Sequence, residues 1–342
     1  MDKQKLTRIF EKAFAKRAAL FADPANDCCR LFNAEGDGMD GITIDRYAAW
    51  LLVQIEKPAL LHKPEALFAA IVTASRSLAS RPRGILWKDV SASGTTWRES
   101  PCRSSIIEGH APPDELIVLQ NGVRVGVDLI AGRHTGLFLD MRIIRGLLAP
   151  YYKNAGDMLN LFCYSGVFSV HGLKNGMGHA LNLDLAKTAL DRARRNYGLN
   201  GLACDERDFM YGDALTWMKA FAKKGRRFDC VVLDPPTFAR SKQGSFSVKK
   251  DFPRCLELVQ SLAPGGIALT VVNSPAVSEQ QYRDWHPASW RLVWLEHEPD
   301  DFPWVDEPYL KAGLWKIPKS KILLTSPSPY HITSAWNRSR NK

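Results

Sequence analysis

From Asp157 to Asn273 the chain alternates between two kinds of segment, and that alternation leaves few folds open. MLNLFCY, HALNLDL, FDCVVLD and IALTVVN are short, nearly continuous apolar runs, as expected of strands buried on both faces. Between them stand GVFSVHGLKNG, AKTALDRARRNYGLNG, DALTWMKAFAKKG and VKKDFPRCLELVQSLAPGG, apolar at helical intervals. The second of these helices ends on Gly201, and the last is expected to be interrupted early by Pro253. Strand, helix, strand, helix in that order predicts an α/β fold, a parallel sheet with helices on both faces. Its ligand crevice would lie outside the C-terminal ends of the strands.

Those strand ends carry the residue types that a nucleoside ligand needs. The run CVVL ends in Asp234, Pro235, Pro236, Thr237 and Phe238, and proline cannot continue a central strand because it has no ladder donor. Alone, such a stretch reads as a strand-to-loop turn with an Asp cap. The first strand runs into NLFCYSG, from Asn160 through Phe162, Tyr164 and Ser165 to Gly166, where a small residue lets backbone N–H groups approach a ligand. The pattern is not GxGxxG, which disfavours a nicotinamide dinucleotide. Asp184 ends the second strand and reads either as the acid that binds ribose hydroxyls or as a helix N-cap. Asp213, in YGDAL, carries the same two readings. Four such residues, in order at successive strand ends, are hard to attribute to caps alone.

The rest of the chain narrows the partners. Up to about residue 115, runs such as GITIDRYAAWLLVQI and RGILWKDV alternate with Gly, Pro and Ser clusters, which predicts a smaller α/β or α+β domain. ELIVLQNGVRVGVDLI then reads as a β-hairpin, with Asn121-Gly122 suited to a type I′ turn. Lys plus Arg number 46 against 36 Asp plus Glu, and the net charge of +10 favours a polyanionic partner such as nucleic acid. The opening MDKQKLTRIFEKAFAKRAALF is neither a signal peptide nor a membrane anchor, and no apolar run has bilayer-spanning length. The seven cysteines form no CxxC pair, so neither a disulfide framework nor a metal site is expected, and a reducing cytoplasm is the expected home.

NLFCYSG, NLDLAK, YGDAL and LDPPTF together resemble the class I S-adenosylmethionine-dependent methyltransferases. More narrowly, the set is similar to the bacterial large-subunit ribosomal RNA methyltransferases of the cytosine-C5 and guanine-N7 branches. RLFNAEGDGMDGITIDRY resembles that family's linker domain, and GRHTGLFLDMR the segment before its first sheet strand. The resemblance, from about residue 30 to 317, implies a Rossmann-like methyltransferase sheet with helices on both faces. It further implies a linker-like substrate-recognition domain at 1–114, a hairpin at 115–131, a methyltransferase domain at 132–320 and a basic tail at 321–342. Many family members begin with an RNA-binding domain of the PUA type, for which this chain is expected to have no room.

By similarity, the cofactor is S-adenosyl-L-methionine. The turn from Asn160 to Gly166 would hold its methionine part, Asp184 its ribose and Asp213 its adenine amino group. Phe138, Asp140 and Arg142 would close over it. Asp234, Pro235 and Pro236 would face the sulfonium and the target base, and Phe238 would stack on that base. Each also has a plainer reading: Phe138 and Phe238 as core aromatics, Arg142 paired with a structural carboxylate, Tyr164 packed beneath the loop. Arg240, Lys242, Lys249 and Lys250 stand beside the proposed base pocket, as phosphate contacts or as a solvated face. YLKAGLWKI resembles the family's final antiparallel strand.

One departure bears on the chemistry. The cytosine-C5 branch carries a cysteine after the fifth strand, because C5 is not nucleophilic until a thiolate adds to C6. Here Asn273 stands at that position, while Cys163 and Cys230 read as packing residues. Guanine N7 has its own lone pair and needs no covalent step. The expected function is therefore methylation of a large-subunit rRNA base at guanine N7 or another nitrogen. The alternatives are a catalytically silent RNA-binding or assembly factor and a cytosine-C5 enzyme using another cysteine. Monomer and homodimer both remain open.

Overall fold

The computed structural model describes residues 2–62, 64–91, 103–241 and 244–319. Helix α1 (Lys3–Lys16) starts where the Asp2 side chain accepts the Gln4 N–H, and it buries Leu6, Phe10, Ala13 and Phe14 along one stripe. A five-stranded sheet follows, in spatial order β1 (Cys28–Asn33), β2 (Ile42–Tyr47), β3 (Trp50–Ile55), β4 (Gly84–Asp89) and β5 (Ser105–Gly109). Only β3 and β4 pair in parallel, and α2 (Pro64–Ser75) makes the crossover between them. GITIDRYAAWLLVQI is two strands of a hairpin, because the chain reverses at Ala48, which takes φ 51° without the Gly or Asn that usually marks such a turn. Strand alternation then divides the side chains: Leu51, Val53 and Ile55 pack under α1 and α2, while Trp50 and Leu52 face the other way.

That other face meets the hairpin β6 (Leu116–Gln120) and β7 (Val123–Val127). Asn121 and Gly122 both take positive φ, 52° and 75°, as a type I′ turn requires. Val118, Val123 and Val125 lie on one face of the hairpin, buried in a single cluster with Trp50 and Leu52 of the first sheet and with Val167, Leu190 and Tyr197 of the helical segments that follow. The hairpin's one buried face is thus shared by the cores of both parts of the chain.

The second sheet is built from α3 (Arg142–Tyr152), β8 (Asp157–Leu161), α4 (Val167–Lys174), β9 (His179–Asp184), α5 (Lys187–Leu199), β10 (Phe209–Tyr211), α6 (Ala214–Lys223) and β11 (Cys230–Leu233). It continues through a ribbon, β12 (Phe238–Ser241) and β13 (Gly244–Ser247), then α7 (Val248–Leu262), β14 (Ile267–Asn273), α8 (Glu279–Asp284), β15 (Arg291–Glu296) and β16 (Leu310–Lys316). The strand order is β10-β9-β8-β11-β14-β16-β15, parallel through β14 and antiparallel over the last two. Leu159, Val231 and Leu233 pack toward α6 and α7, while Met158, Cys230 and Val232 pack toward α3, so helices cover both faces. The α/β, Rossmann-like class expected from the sequence is therefore present.

Three details differ from expectation. The antiparallel strand expected at YLKAGLWKI is present as β16, but a further antiparallel strand, β15, lies beyond it at the sheet edge and was not expected. The ribbon β12–β13 stands where a loop was expected. Helix α7 runs unbroken through Pro253, whose missing N–H falls near the N-terminal end, where few intrahelical bonds are lost. Asp301, between β15 and β16, ties the two sheets together. Its carboxylate accepts the Arg30 N–H at 3.0 Å and Arg142 Nη2 at 2.6 Å, and its carbonyl accepts Arg17 Nη2 at 3.0 Å. Among the described residues, no helix is long and apolar enough to cross a membrane.

Candidate functional site

The chain passes from β8 outward to β9 and β10 and then returns to the other side of β8 as β11, so the strand order reverses between β8 and β11. Leu161 and Leu233 are paired in register there, which puts the Phe162 loop and Asp234 side by side just past the strand ends. A cleft of about 1560 Å³ opens at this point. Every residue designated from the sequence as a site residue lines it except Gly166 and Arg142.

The Phe162–Gly166 loop is held in a costly conformation. Phe162, Tyr164 and Gly166 have φ of 55°, 49° and 69°, and non-glycine residues persist there only when their surroundings over-determine them. Those surroundings are identifiable. The Tyr164 N–H donates to Asp184 Oδ2 at 2.9 Å, the Cys163 N–H to the Leu183 carbonyl at 3.0 Å, and Ser165 Oγ to the Gly136 carbonyl at 2.6 Å. Beneath the loop, Asn160 Nδ2 donates to Ser169 Oγ at 2.9 Å. Gly166 caps α4 by its backbone alone, and a Cβ added there would lie 2.8 Å from Ala193 Cβ in α5. Gly166→Ala is expected to cost about 2–4 kcal/mol, from the left-handed backbone and the overpacking together; a lowered urea midpoint with unchanged slope would register it.

The acids at the end of β9 and just after β10 serve the backbone and the cleft together. Asp184 Oδ1 accepts the Ala186 N–H at 2.8 Å, and the N-cap of α5 is Ala186 rather than Asp184. Burial pushes the Asp184 carboxyl up, and the backbone N–H groups of Ala186, Tyr164 and Leu185 partly restore it. Asp213 does cap α6, accepting the Thr216 N–H at 2.9 Å and Thr216 Oγ1 at 2.8 Å, both on Oδ1. Among the described residues its Oδ2 has no partner.

Across the cleft Asp140, Arg145 and Asp234 form a charged group. Tyr309 Oη donates to Asp140 Oδ2 at 3.0 Å, and Asp140 Oδ1 is buried with no partner among the described residues. Arg145 donates to Gln120 Oε1 and to the Phe138 carbonyl, the latter at 3.0 Å, and lies over the Phe168 ring. Asp234 makes no side-chain hydrogen bond among the described residues. Enclosure by the cleft walls pushes its carboxyl up to about 7, with the Asp140 charge adding to the rise and Arg145 offsetting part of it. Arg142 is a correction: it points away from the cleft and is held by Asp301. Arg145, one turn further along α3, faces the cleft instead. Neither Arg145 nor Tyr309 was singled out in the sequence, although the RIIR spacing offers two arginines for one role.

Pro235 is buried, Pro236 exposed, and Phe238 at the start of the ribbon is 53% exposed. Thr237 Oγ1 donates to the Asn273 carbonyl at 2.7 Å, which ties this loop to the end of β14. Lys249 and Lys250 are exposed in the first turn of α7, while Lys242 and the tail from residue 321 lie outside the described residues. Cys163 and Cys230 are buried and their thiols are pushed up by that burial, Cys230 to about 12.

The chain matches the family model described as S-adenosylmethionine-dependent methyltransferase over residues 40–316. It is 36% identical over 242 residues to Ribosomal RNA large subunit methyltransferase I of Aeromonas salmonicida, covering 70% of this chain and 59% of that protein. The protein of the same name from Aliivibrio fischeri is 33% identical over 273 residues, covering 79% and 67%. The chain thus spans about three fifths of the length of the first of these relatives. Among solved structures, "Crystal structure of SMU.776, a putative methyltransferase complexed with SAH" superposes with a TM-score of 0.81 at 25% identity, covering 93% of this chain and 82% of that one. With the model match covering well over half of its length, the chain belongs to the S-adenosylmethionine-dependent methyltransferase family.

Proposed function

We propose that the protein methylates a base of large-subunit ribosomal RNA in the cytoplasm, at guanine N7 or another base nitrogen rather than at cytosine C5. The observation that carries this reading is the pairing, in one cleft, of an acid-lined cofactor end with Asp234, a rigid proline pair and the half-exposed Phe238. The names of the relatives support the RNA class, and the net charge of +10 agrees with a polyanion.

The residues present fit the cofactor. Asp184 retains lone pairs for ribose hydroxyls, Asp213 Oδ2 is open to the adenine amino group, and the buried, unpartnered Asp140 Oδ1 is an acceptor for a cationic group. Tyr164 and Phe138, with ring centroids 5.2 Å apart, stand over the same end. When bound, the cofactor supplies an electrophilic methyl group on a sulfonium. The chain's own contribution is alignment: the Asp234-Pro235-Pro236 backbone cannot swing, and an ionised Asp234 accepts an N–H from the polar edge of the base. Phe238 offers the face on which that base stacks. A nitrogen target follows from the lack of a usable thiol. Asn273 lines the cleft where a nucleophile would be needed, and Cys163, the cleft-lining cysteine among the described residues, is held protonated by burial.

We assign substrate capture to residues 1–114, methyl transfer to 132–320, and the 115–131 hairpin to joining them. Phe238→Ala is expected to weaken RNA binding about 5- to 150-fold, the contribution of one stacked base, with cofactor affinity within about twofold of wild type. The decisive experiment uses labelled S-adenosylmethionine and large-subunit rRNA from a strain lacking the gene, followed by digestion to nucleosides. Label in 7-methylguanosine or another N-methylated nucleoside is the expected result; label in 5-methylcytidine would refute the nitrogen reading.

A further inference from the structure

A second chamber of about 170 Å³ lies beside the cleft, and the two share the wall formed by His134, Phe138, Asp140 and Tyr164. Its remaining surface comes largely from the other sheet. Arg30 of β1 and Asp45 of β2 form its floor, joined side-on with Nε to Oδ1 at 2.6 Å and Nη2 to Oδ2 at 3.2 Å. The Arg30 guanidinium lies over the Phe302 ring, 4.4 Å from its centroid. Tyr47, whose Oη is 3.0 Å from Thr135 Oγ1, and Tyr309 add two more rings, and Gln54 of β3 stands among the lining residues.

We propose that this chamber is a second base subsite, taking one nucleobase of the RNA adjacent to the base that is methylated. The inference rests on the RNA reading above. Three features point to a base rather than to an ion. Rings of Tyr47, Phe138, Tyr164 and Tyr309 stand among a largely polar lining and offer stacking contacts, which are sequence-tolerant because every base has a π-face. The floor presents donors and acceptors side by side, matching an edge that carries both, as a base edge does. The Arg30 and Asp45 charges also neutralise each other, so a lone phosphate would meet a carboxylate as well as a guanidinium. A base is planar and has the volume for the chamber, whereas a nucleoside with its sugar does not. The retained pair has an energetic rationale as well. Burying two charges seldom improves stability over apolar residues of similar volume; a ligand that uses their remaining donors and acceptors gives them a purpose.

The test irradiates the full-length protein with large-subunit rRNA at short ultraviolet wavelength and maps the cross-linked peptides by mass spectrometry. Cross-links are expected on peptides carrying Tyr47, His134 or Phe302 as well as on the peptide carrying Phe238. Gln54→Trp, which fills the chamber, is expected to remove the first set and to weaken RNA binding about 5- to 150-fold, with cofactor affinity by calorimetry within about twofold. Gln54→Ala, which leaves the chamber open, is expected to bind RNA like wild type. Cross-links confined to the Phe238 peptide, with RNA affinity indifferent to Gln54→Trp, would overturn the subsite and leave the RNA reading standing. Absence of any RNA binding by the wild-type protein would overturn both.

Discussion

Asp234→Asn is expected to slow methyl transfer by about 10- to 150-fold, the loss of one hydrogen bond to a charged acceptor, and, in the same protein, to raise the melting temperature at pH 8. The two effects share one cause. Burial and the nearby Asp140 charge push the Asp234 carboxyl up to about 7, from the ordinary value of 3.8 that it regains when the chain unfolds. A group raised in this way contributes stability that is fully present below about pH 3.8 and is lost as the pH rises through about 7. At pH 8 the folded protein therefore carries a carboxylate in an unfavourable place, at a cost of up to about 4 kcal/mol, reduced because the cleft admits water. Asparagine removes that cost together with the acceptor. The gain should shrink as the pH falls and vanish near pH 4, while wild-type activity should rise with pH toward a plateau above about 7. Melting curves at pH 4, 6 and 8 check the first point; an Asn variant no more stable than wild type at pH 8 would refute the raised carboxyl.

Arg145→Met is expected to have the opposite effect on stability. The side chain lies between Asp140 and Asp234, and burial lowers its own pKa to about 10, with both carboxylates opposing that shift. Methionine fills much of the same volume but leaves two enclosed carboxylates facing each other without a cation, a loss of about 3–5 kcal/mol at pH 8. Protons can take the place of the guanidinium, so the loss should be smaller at pH 5. The same substitution frees the Phe138 carbonyl, which Arg145 now holds at 3.0 Å, and cofactor affinity should fall about tenfold or more, in keeping with the loss of a charge-assisted hydrogen bond. Urea titrations at the two pH values separate this from a packing defect: equal losses at both would mean that charge is not the reason. Adding Asp140→Asn should restore part of the lost stability at pH 8.

Much of this site was legible because its residues are dictated locally. Alternating and apolar runs located β8, β9, β11 and β14, Asn121-Gly122 located the hairpin, and the acids and prolines sit at strand ends where chain order alone puts them together. The two readings of Asp213 proved compatible, since one oxygen caps α6 while the residue lines the cleft. What could not be read depends on distant packing. Arg142 and Arg145 are chemically alike and one helical turn apart, and the choice between them was made by Asp301, 159 residues beyond Arg142. Strand β15 is half-buried along nearly its whole length, so it has no alternation to reveal it. The β12–β13 ribbon combines Gly and Ser in a way that a loop would share.

The position of Asp301 and β16 also sets an order for the protein's synthesis. The five-stranded sheet is complete once Gly109 has been made, and N-terminal units generally fold first as a chain emerges. The second sheet must wait. Until Asp301 is made Arg142 lacks its carboxylate, until Tyr309 is made no hydroxyl holds Asp140, and until residues 310–316 follow β14 keeps an open edge. A nascent chain stalled just short of Asp301 would thus carry every acid and proline of the cleft with no closed site around them. Methyl-donor binding in this protein is expected to report that translation has passed Lys316.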